Sequence, residues 1–434
     1  MNPELRRNLW LEFSAHRLIA MPAIILLVGM FIYAISKEDA LRNLAVTAVW
    51  GAVALLPLWG AKLAMGSVTE EARDRTWDAQ RLSSIGPWQM TWGKLLGATA
   101  FVWYGGVICI LLFVFAGVGK LQISVLKTAS IIVIGSILLH SVMLNAGLFA
   151  VQKGQSARSS GGLIILFLLL IIGPSIGLAI EKTNFIVWWG MNYVASDFML
   201  ASIVAYAVWT VFGAYRSMCS ELQVRTTPWA LAAFLCFTSA YLAGFAPYPN
   251  KFISGAPAAL MASGLMVSLS AGYLLLFFER TGAMTVLRLK VRVERQQWMR
   301  VLEELPGWPV ALALAVPFSV GSALLIEREF MLAPFVLVLF AVRDAALMHF
   351  FAFSRKPKRV EMVTLVYLAL LYWLIPALLY AMDVKLLGQL VMPPLSENMG
   401  FSLVVMLGQA GLAVILAAWR WRRNHGAAAT LNTA

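Results

Sequence analysis

Apolar residues recur along this chain as long, nearly uncharged runs separated by short polar segments. Each run is about 18 residues or longer, the length that carries a helix across a hydrocarbon core. Lipid offers the backbone no hydrogen-bond partner, so a spanning run must be a helix or a strand of a closed barrel. Barrel strands alternate apolar and polar positions over about 10 residues. These runs do not alternate, so they read as helices. The pattern predicts twelve spans, near residues 18–36, 43–64, 94–118, 128–151, 160–181, 196–215, 228–246, 257–278, 309–326, 331–350, 361–382 and 400–419. The expected fold is all-α: a polytopic integral membrane protein with about 12 transmembrane helices, arranged as six-span units over residues 1–225 and 226–434.

Composition agrees with the pattern. Hydrophobic residues make up 61% and charged residues 13% of the 434, against about 45–50% and about 25% in an ordinary soluble domain. A net charge of +13 could point to nucleic acid, but the basic residues collect at span ends, where they meet anionic lipid. Membrane lipids are therefore the expected partners, and nucleic acid is not. With the N-terminus inside, 24 of the 34 Lys and Arg fall on inner segments, eight on outer loops, and Lys62 and Arg343 within spans. That bias predicts a cytoplasmic (inner) membrane location with both termini cytoplasmic. The first run follows the polar stretch Met1–Arg17 without a small-residue cleavage site, so it reads as a retained span. Cys109, Cys219 and Cys236 form no pair motif and read as small buried residues.

The polar segments carry the remaining detail. Asn2-Pro3-Glu4 is a helix start. After it Leu5, Leu9 and Phe13 (with Trp10) line one face, and Glu4, Arg7, Asn8 and Glu12 the other. This predicts an N-terminal interfacial amphipathic helix leading into the first span. The outer segment Asn184–Asp197, with Trp188, Trp189 and Tyr193, predicts a helix at the outer interface. No GxxxxGK[ST] occurs; Gly93-Lys94 and Gly119-Lys120 lack the rest of the motif, so no nucleotide site and no cofactor are expected in this chain. His16, His140, His349 and His425 are scattered and make no metal pair; His140 reads as a hydrogen-bonded packing residue. Lys62, Arg343, Asp344 and Glu361 read as lying near inner span ends, within snorkelling distance of the interface. An ion-driven carrier would place charges at mid-membrane, and on this reading none is there.

The inner segment 67–97 is the richest in signals. Ser67-x-x-Glu70 is a capping box, and Glu70, Glu71 and Asp74 complement the dipole of a helix starting there. Glu71–Arg75 and Asp78–Arg81 have the spacing of same-face ion pairs, and Gly86-Pro87 stops the helix. The expectation is a charged cytoplasmic helix over residues 67–86.

Glu70-Glu71, Arg75-Thr76-Trp77-Asp78, Gly86-Pro87 and Gly93-Lys94-Leu95-Leu96-Gly97 stand where the coupling-helix region of ABC-2-type transporter permeases has its Glu-rich start, Arg/Gly-Thr-Leu-Glu block, Thr-Pro turn and Gly-Lys-Leu. The chain resembles that family over about residues 1–220. It departs at Arg75 for glycine, Trp77 and Asp78 for Leu and Glu, and Gly86 for Thr, which leaves the substrate open. The resemblance implies an exporting permease subunit driven by a separate ABC ATPase that contacts Glu70, Glu71, Arg73, Arg75, Thr76, Trp77, Asp78 and Arg81. It leaves open a self-sufficient 12-span chain or a homodimer. An offset of 270 aligns Arg73-Asp74 with Arg343-Asp344, Ser84 with Ser354 and Pro87 with Pro357. This suggests a second coupling element containing Arg343, Asp344, Arg355 and Lys356, with the first two at the membrane edge. Two other classes were weighed. A secondary transporter with two six-span halves suits the span number but lacks mid-membrane charges on this reading. A membrane prenyl-protease would share Glu70-Glu71-x-x-x-Arg75, but no histidines are placed to assist it, so no enzyme is expected.

Overall fold

The structure is a computed structural model and describes residues 2–121, 124–152, 185–246, 255–279, 282–355, 359–392 and 398–431. Among the described residues, ten helices are long and apolar enough to cross a membrane. The chain therefore has the architecture of a multi-pass α-helical membrane protein. A shorter apolar helix covers Trp229–Ala243, and the span expected at 160–181 lies outside the described residues. The chain divides into two compact units: Met1–Val187 with Met191–Thr226, and Trp188–Gly190 with Thr227–Ala434.

In the first unit, α1 (Pro3–Glu12) opens at Asn2, whose side chain accepts from the Glu4 and Leu5 N–H groups. It leads into α2 (Ala15–Ile35). The next helix, α3 (Lys37–Arg73), is continuous past the expected end of its span. Ala61, Ala64, Met65 and Val68 keep one face buried, so the chain has no reason to break at Ser67. Ser67 instead lies inside the helix, its Oγ donating to Ala64 O at 2.7 Å. The capping-box expectation is thus corrected: no helix starts there. Pro57 cannot donate to the ladder, which widens to π geometry over Ala54–Trp59. The Gly60 N–H reaches back to Leu55 O, and Leu56 O pairs with His140 Nε2 at 2.8 Å.

After α3 the chain turns through Arg75, which has a left-handed backbone (φ 59°), into the single turn α4 (Trp77–Arg81) and then α5 (Pro87–Trp92). Pro87 opens α5 and does not end a helix. A π-type segment, Gly93–Gly97, joins α5 to the span α6 (Ala100–Gly117). The expected 67–86 helix is therefore an elbow. The spans α7 (Val125–Gln152) and α8 (Ala195–Glu221) meet along a polar seam, with Ser141 Oγ donating to Thr210 Oγ1 at 2.7 Å and Ser217 Oγ to Asn145 Oδ1 at 2.8 Å.

The segment expected as an outer interfacial helix contains a two-stranded hairpin, β1 (Phe185–Trp188) and β2 (Met191–Val194). Trp189 and Gly190 both have positive φ, 51° and 75°, which a two-residue hairpin turn requires. The β-branched and aromatic run Phe-Ile-Val-Trp favours the strand.

The second unit comprises α9 (Trp229–Ala243), α10 (Ala256–Phe278), α11 (Ala283–Glu294), α12 (Trp298–Glu304), α13 (Gly307–Leu325) and α14 (Ala333–Ala352). It continues with α15 (Val360–Ala381), which contains a π segment at Leu370–Leu374, then α16 (Lys385–Val391) and α17 (Met399–Leu431). Leu265 and Leu269 of α10 pack with Ala315 of α13 and Ala341 of α14. Glu279, just beyond α10, caps α13 by accepting from the Gly307 N–H at 2.8 Å and the Trp308 N–H at 3.3 Å. Burial pushes its carboxyl above the usual range, and those two N–H groups pull the other way. Glu279→Ala should cost about 1–2 kcal/mol in denaturant unfolding of the purified chain, while Glu279→Gln, which keeps an acceptor, should cost less than half of that.

Candidate functional site

The elbow is held by a close approach of two backbones. A Cβ on Gly93 would lie 2.6 Å from Glu4 Cβ, and one on Gly97 would lie 2.8 Å from Asn8 Cβ. Only glycine lets α1 come this near. The contact brings together four charges from distant parts of the sequence. Lys94 Nζ lies 3.1 Å from Glu4 Oε1 and is bonded to Glu71. Arg7 bridges the same two carboxylates at 3.1 and 2.6 Å. Asn8 Nδ2 donates to Glu4 Oε1 at 3.0 Å and to Gly93 O at 3.1 Å. The cluster is neutral, and its Lys94 and Glu4 side chains are each only 1% exposed. On α1 the polar residues Glu4 and Asn8 are buried, Leu5, Leu9 and the following Phe13 are half-buried, and Trp10 is 81% exposed. Electrostatic pairing thus adds to apolar contact in holding this helix.

Trp77 anchors the elbow from the other side. It is buried with Val68, Met90, Leu95, Leu144, Leu148, Ala214 and Met218. Its Nε1 donates to Glu221 Oε2 at 3.3 Å, and Lys94 Nζ stands 5.5 Å from its ring centroid. Arg81 Nε donates to Glu221 O at 3.1 Å. Of the residues expected to meet a partner, Glu70, Arg73, Arg75, Thr76 and Asp78 are exposed. Glu71 and Trp77 point inward, a correction that follows from the charge they neutralise and the core they fill. Arg81 is half-buried and makes the expected pair with Asp78, at 3.5 Å. The expected Glu71–Arg75 pair is not formed, because Glu71 is engaged by Arg7 and Lys94. Leu82, which no sequence signal marked, is 88% exposed beside them.

The second constellation lies wholly in the second unit. Ten residues of α14 precede Arg343 and nine follow it, so this pair sits at the centre of an apolar helix and not at its end. The side chains of Arg343 and Asp344 are 3% and 1% exposed. Arg343 donates from Nε and Nη2 to Asp344 Oδ1 at 3.1 and 3.0 Å, and from Nη1 to Gln409 Oε1 at 2.6 Å. Asp344 Oδ2 accepts from Tyr273 at 2.7 Å and from the Tyr372 hydroxyl. The guanidinium stacks on Phe340 at 4.4 Å and Tyr372 at 5.0 Å. Arg355 is exposed beyond the end of α14, and Lys356 lies outside the described residues. The second coupling element therefore does not form as expected, since two of its members are satisfied inside the helix bundle.

No group of three or more His, Cys, Asp or Glu suited to a metal occurs among the described residues. Compared with protein-family models, curated proteins and solved structures, the chain matches none.

The two kinds of elbow residue should respond differently to substitution. Lys94→Met leaves Glu4 and Glu71 to share the single cation Arg7 and should cost about 3 kcal/mol in unfolding of the purified protein. Arg73→Ala, on the surface, should stay within about 0.5 kcal/mol. Equal losses would mean that the Lys94 cluster is not the anchor.

Proposed function

We propose that this chain is the membrane-spanning permease of a transporter driven by a separate ATPase subunit, which docks on the elbow at residues 73–84. One observation carries the reading: the elbow is exposed and rigidly rooted at once. Arg73, Arg75, Thr76, Asp78 and Leu82 face outward. Trp77 meanwhile ties the same turn into α3, α5, α7 and α8, and the Lys94 cluster ties it to α1. A close-packed anchor passes displacement on to the spans where a loose loop would absorb it. The resemblance to ABC-2-type permeases over residues 1–220 supports the same conclusion. In this reading the elbow and both termini are cytoplasmic, the membrane is the inner membrane, and the direction is export. The membrane part is one self-sufficient chain or a pair of chains.

A second reading, ion-coupled transport without an ATPase, is favoured by the Arg343–Asp344 pair at the centre of α14. Buried intramembrane charges commonly mark ion pathways.

Purification of the tagged chain from its native membrane, with mass spectrometry of its companions, separates the two. The permease reading expects a stoichiometric soluble ATPase. Asp78→Lys with Leu82→Glu should weaken its retention at least about tenfold and leave membrane insertion and thermal stability unchanged. A chain free of ATPase that moves solute down an ion gradient in proteoliposomes would transfer the conclusion to the second reading.

A further inference from the structure

Two full charges at the centre of an apolar helix are costly and call for a reason. Packing does not supply one. A structural ion pair joins two elements by its own contact, whereas Arg343 and Asp344 are neighbours on α14. Their links to other helices are hydrogen bonds to neutral groups, from Asp344 to Tyr273 of α10 and Tyr372 of α15 and from Arg343 to Tyr372 and Gln409 of α17, joints that uncharged polar side chains make at lower cost. The pairing is also poor for its type. Both Nε and Nη2 of Arg343 converge on the single oxygen Oδ1, where a guanidinium best engages two oxygens of one carboxylate or phosphate side by side.

The surroundings are those of a polar site. Tyr372 lies within the π segment Leu370–Leu374, and such bulges are frequent at functional sites. Gln409, which holds Arg343 Nη1, donates its own Nε2 to Leu390 O at 2.5 Å. Gln409 is ten residues into α17, or about 15 Å from its start, so α16 packs against α17 at this depth. Short non-spanning segments at such depth persist where they are packed in protein or line a polar cavity.

We propose that Arg343 binds an anionic group, a carboxylate or phosphate, of the transported molecule, and that Asp344 is the resident counter-ion holding the guanidinium in its absence. The incoming anion takes the Nε/Nη2 edge, which Asp344 Oδ1 and the Tyr372 hydroxyl hold in its absence, while Tyr273 and Tyr372 keep Asp344 hydrogen-bonded. The site rests on the transport reading but not on how transport is driven. Because Asp344 competes with the ligand, its neutralisation strengthens binding; removal of Arg343 abolishes it.

The test is equilibrium titration of the full chain in phosphatidylcholine nanodiscs with inorganic phosphate, octanoate and a short-chain phosphatidate, without nucleotide. Saturable binding of at least one probe is expected, tightened about tenfold or more in Asp344→Asn and lost in Arg343→Met. Preference for phosphatidate over phosphate assigns the anion to a lipid headgroup, and the reverse assigns it to a soluble solute. The double variant Arg343→Met/Asp344→Leu guards against misfolding, since apolar replacement of a buried ion pair is often neutral. It should stay folded, with a melting temperature closer to the wild type's than that of Arg343→Met, and bind nothing. Absence of saturable binding in both wild type and Asp344→Asn, or binding that survives Arg343→Met, overturns the proposal. So does a double variant that unfolds while the wild type binds no probe, since the pair is then structural. Binding without a co-purifying ATPase leaves the site standing and changes only the driving force; an ATPase with no anion binding removes the site alone.

Discussion

Hydrocarbon forms no hydrogen bonds, so each polar group placed at depth must find its partner within the protein. Much of the irregular geometry here answers that demand. Pro57 disturbs the ladder of α3, and His140 meets a carbonyl at the disturbance. Glu279 leaves the end of α10 and satisfies the first N–H groups of α13. Serine, threonine and asparagine join α7 to α8. The two charged clusters are the most demanding cases, and in both every charged side chain is ion-paired.

The clusters answer the demand differently. Around Lys94, charges come from α1, α3 and the π-type segment before α6. Three of the four ion pairs join separate elements, and the arrangement explains itself as construction. Around Arg343, the ionic contact is internal to one helix, and neutral side chains make the joints. An ion pair whose own contact joins no two helices is better explained by what it meets during function.

The elbow shows why a connector can be both surface and framework. Its backbone turns sharply at Arg75, which swings Trp77 into the core while leaving the residues on either side outside. A straight charged helix over 67–86 would have been easier to displace without moving the spans. Burial of one large side chain within an exposed turn couples the two.

The sequence by itself determined what depends on local composition. The lengths of the apolar runs located the spans, since backbone satisfaction in lipid leaves little alternative to a helix. Asn2-Pro3 likewise marked the start of α1 through local capping chemistry. The tertiary structure decided everything that depends on which residues meet. Ser67-x-x-Glu70 has the form of a helix start, but the buried stripe Ala61–Ala64–Met65–Val68 carries α3 through it. Glu4 and Asn8 have the pattern of a solvent face, yet Lys94 and the glycines opposite draw that face inward. Arg343 and Asp344 read as snorkelling charges because Tyr273, Tyr372 and Gln409 are 28 to 71 residues away in sequence. Local spacing shows which side chains share a face; only the packed chain supplies the partners that determine whether that face is turned in or out.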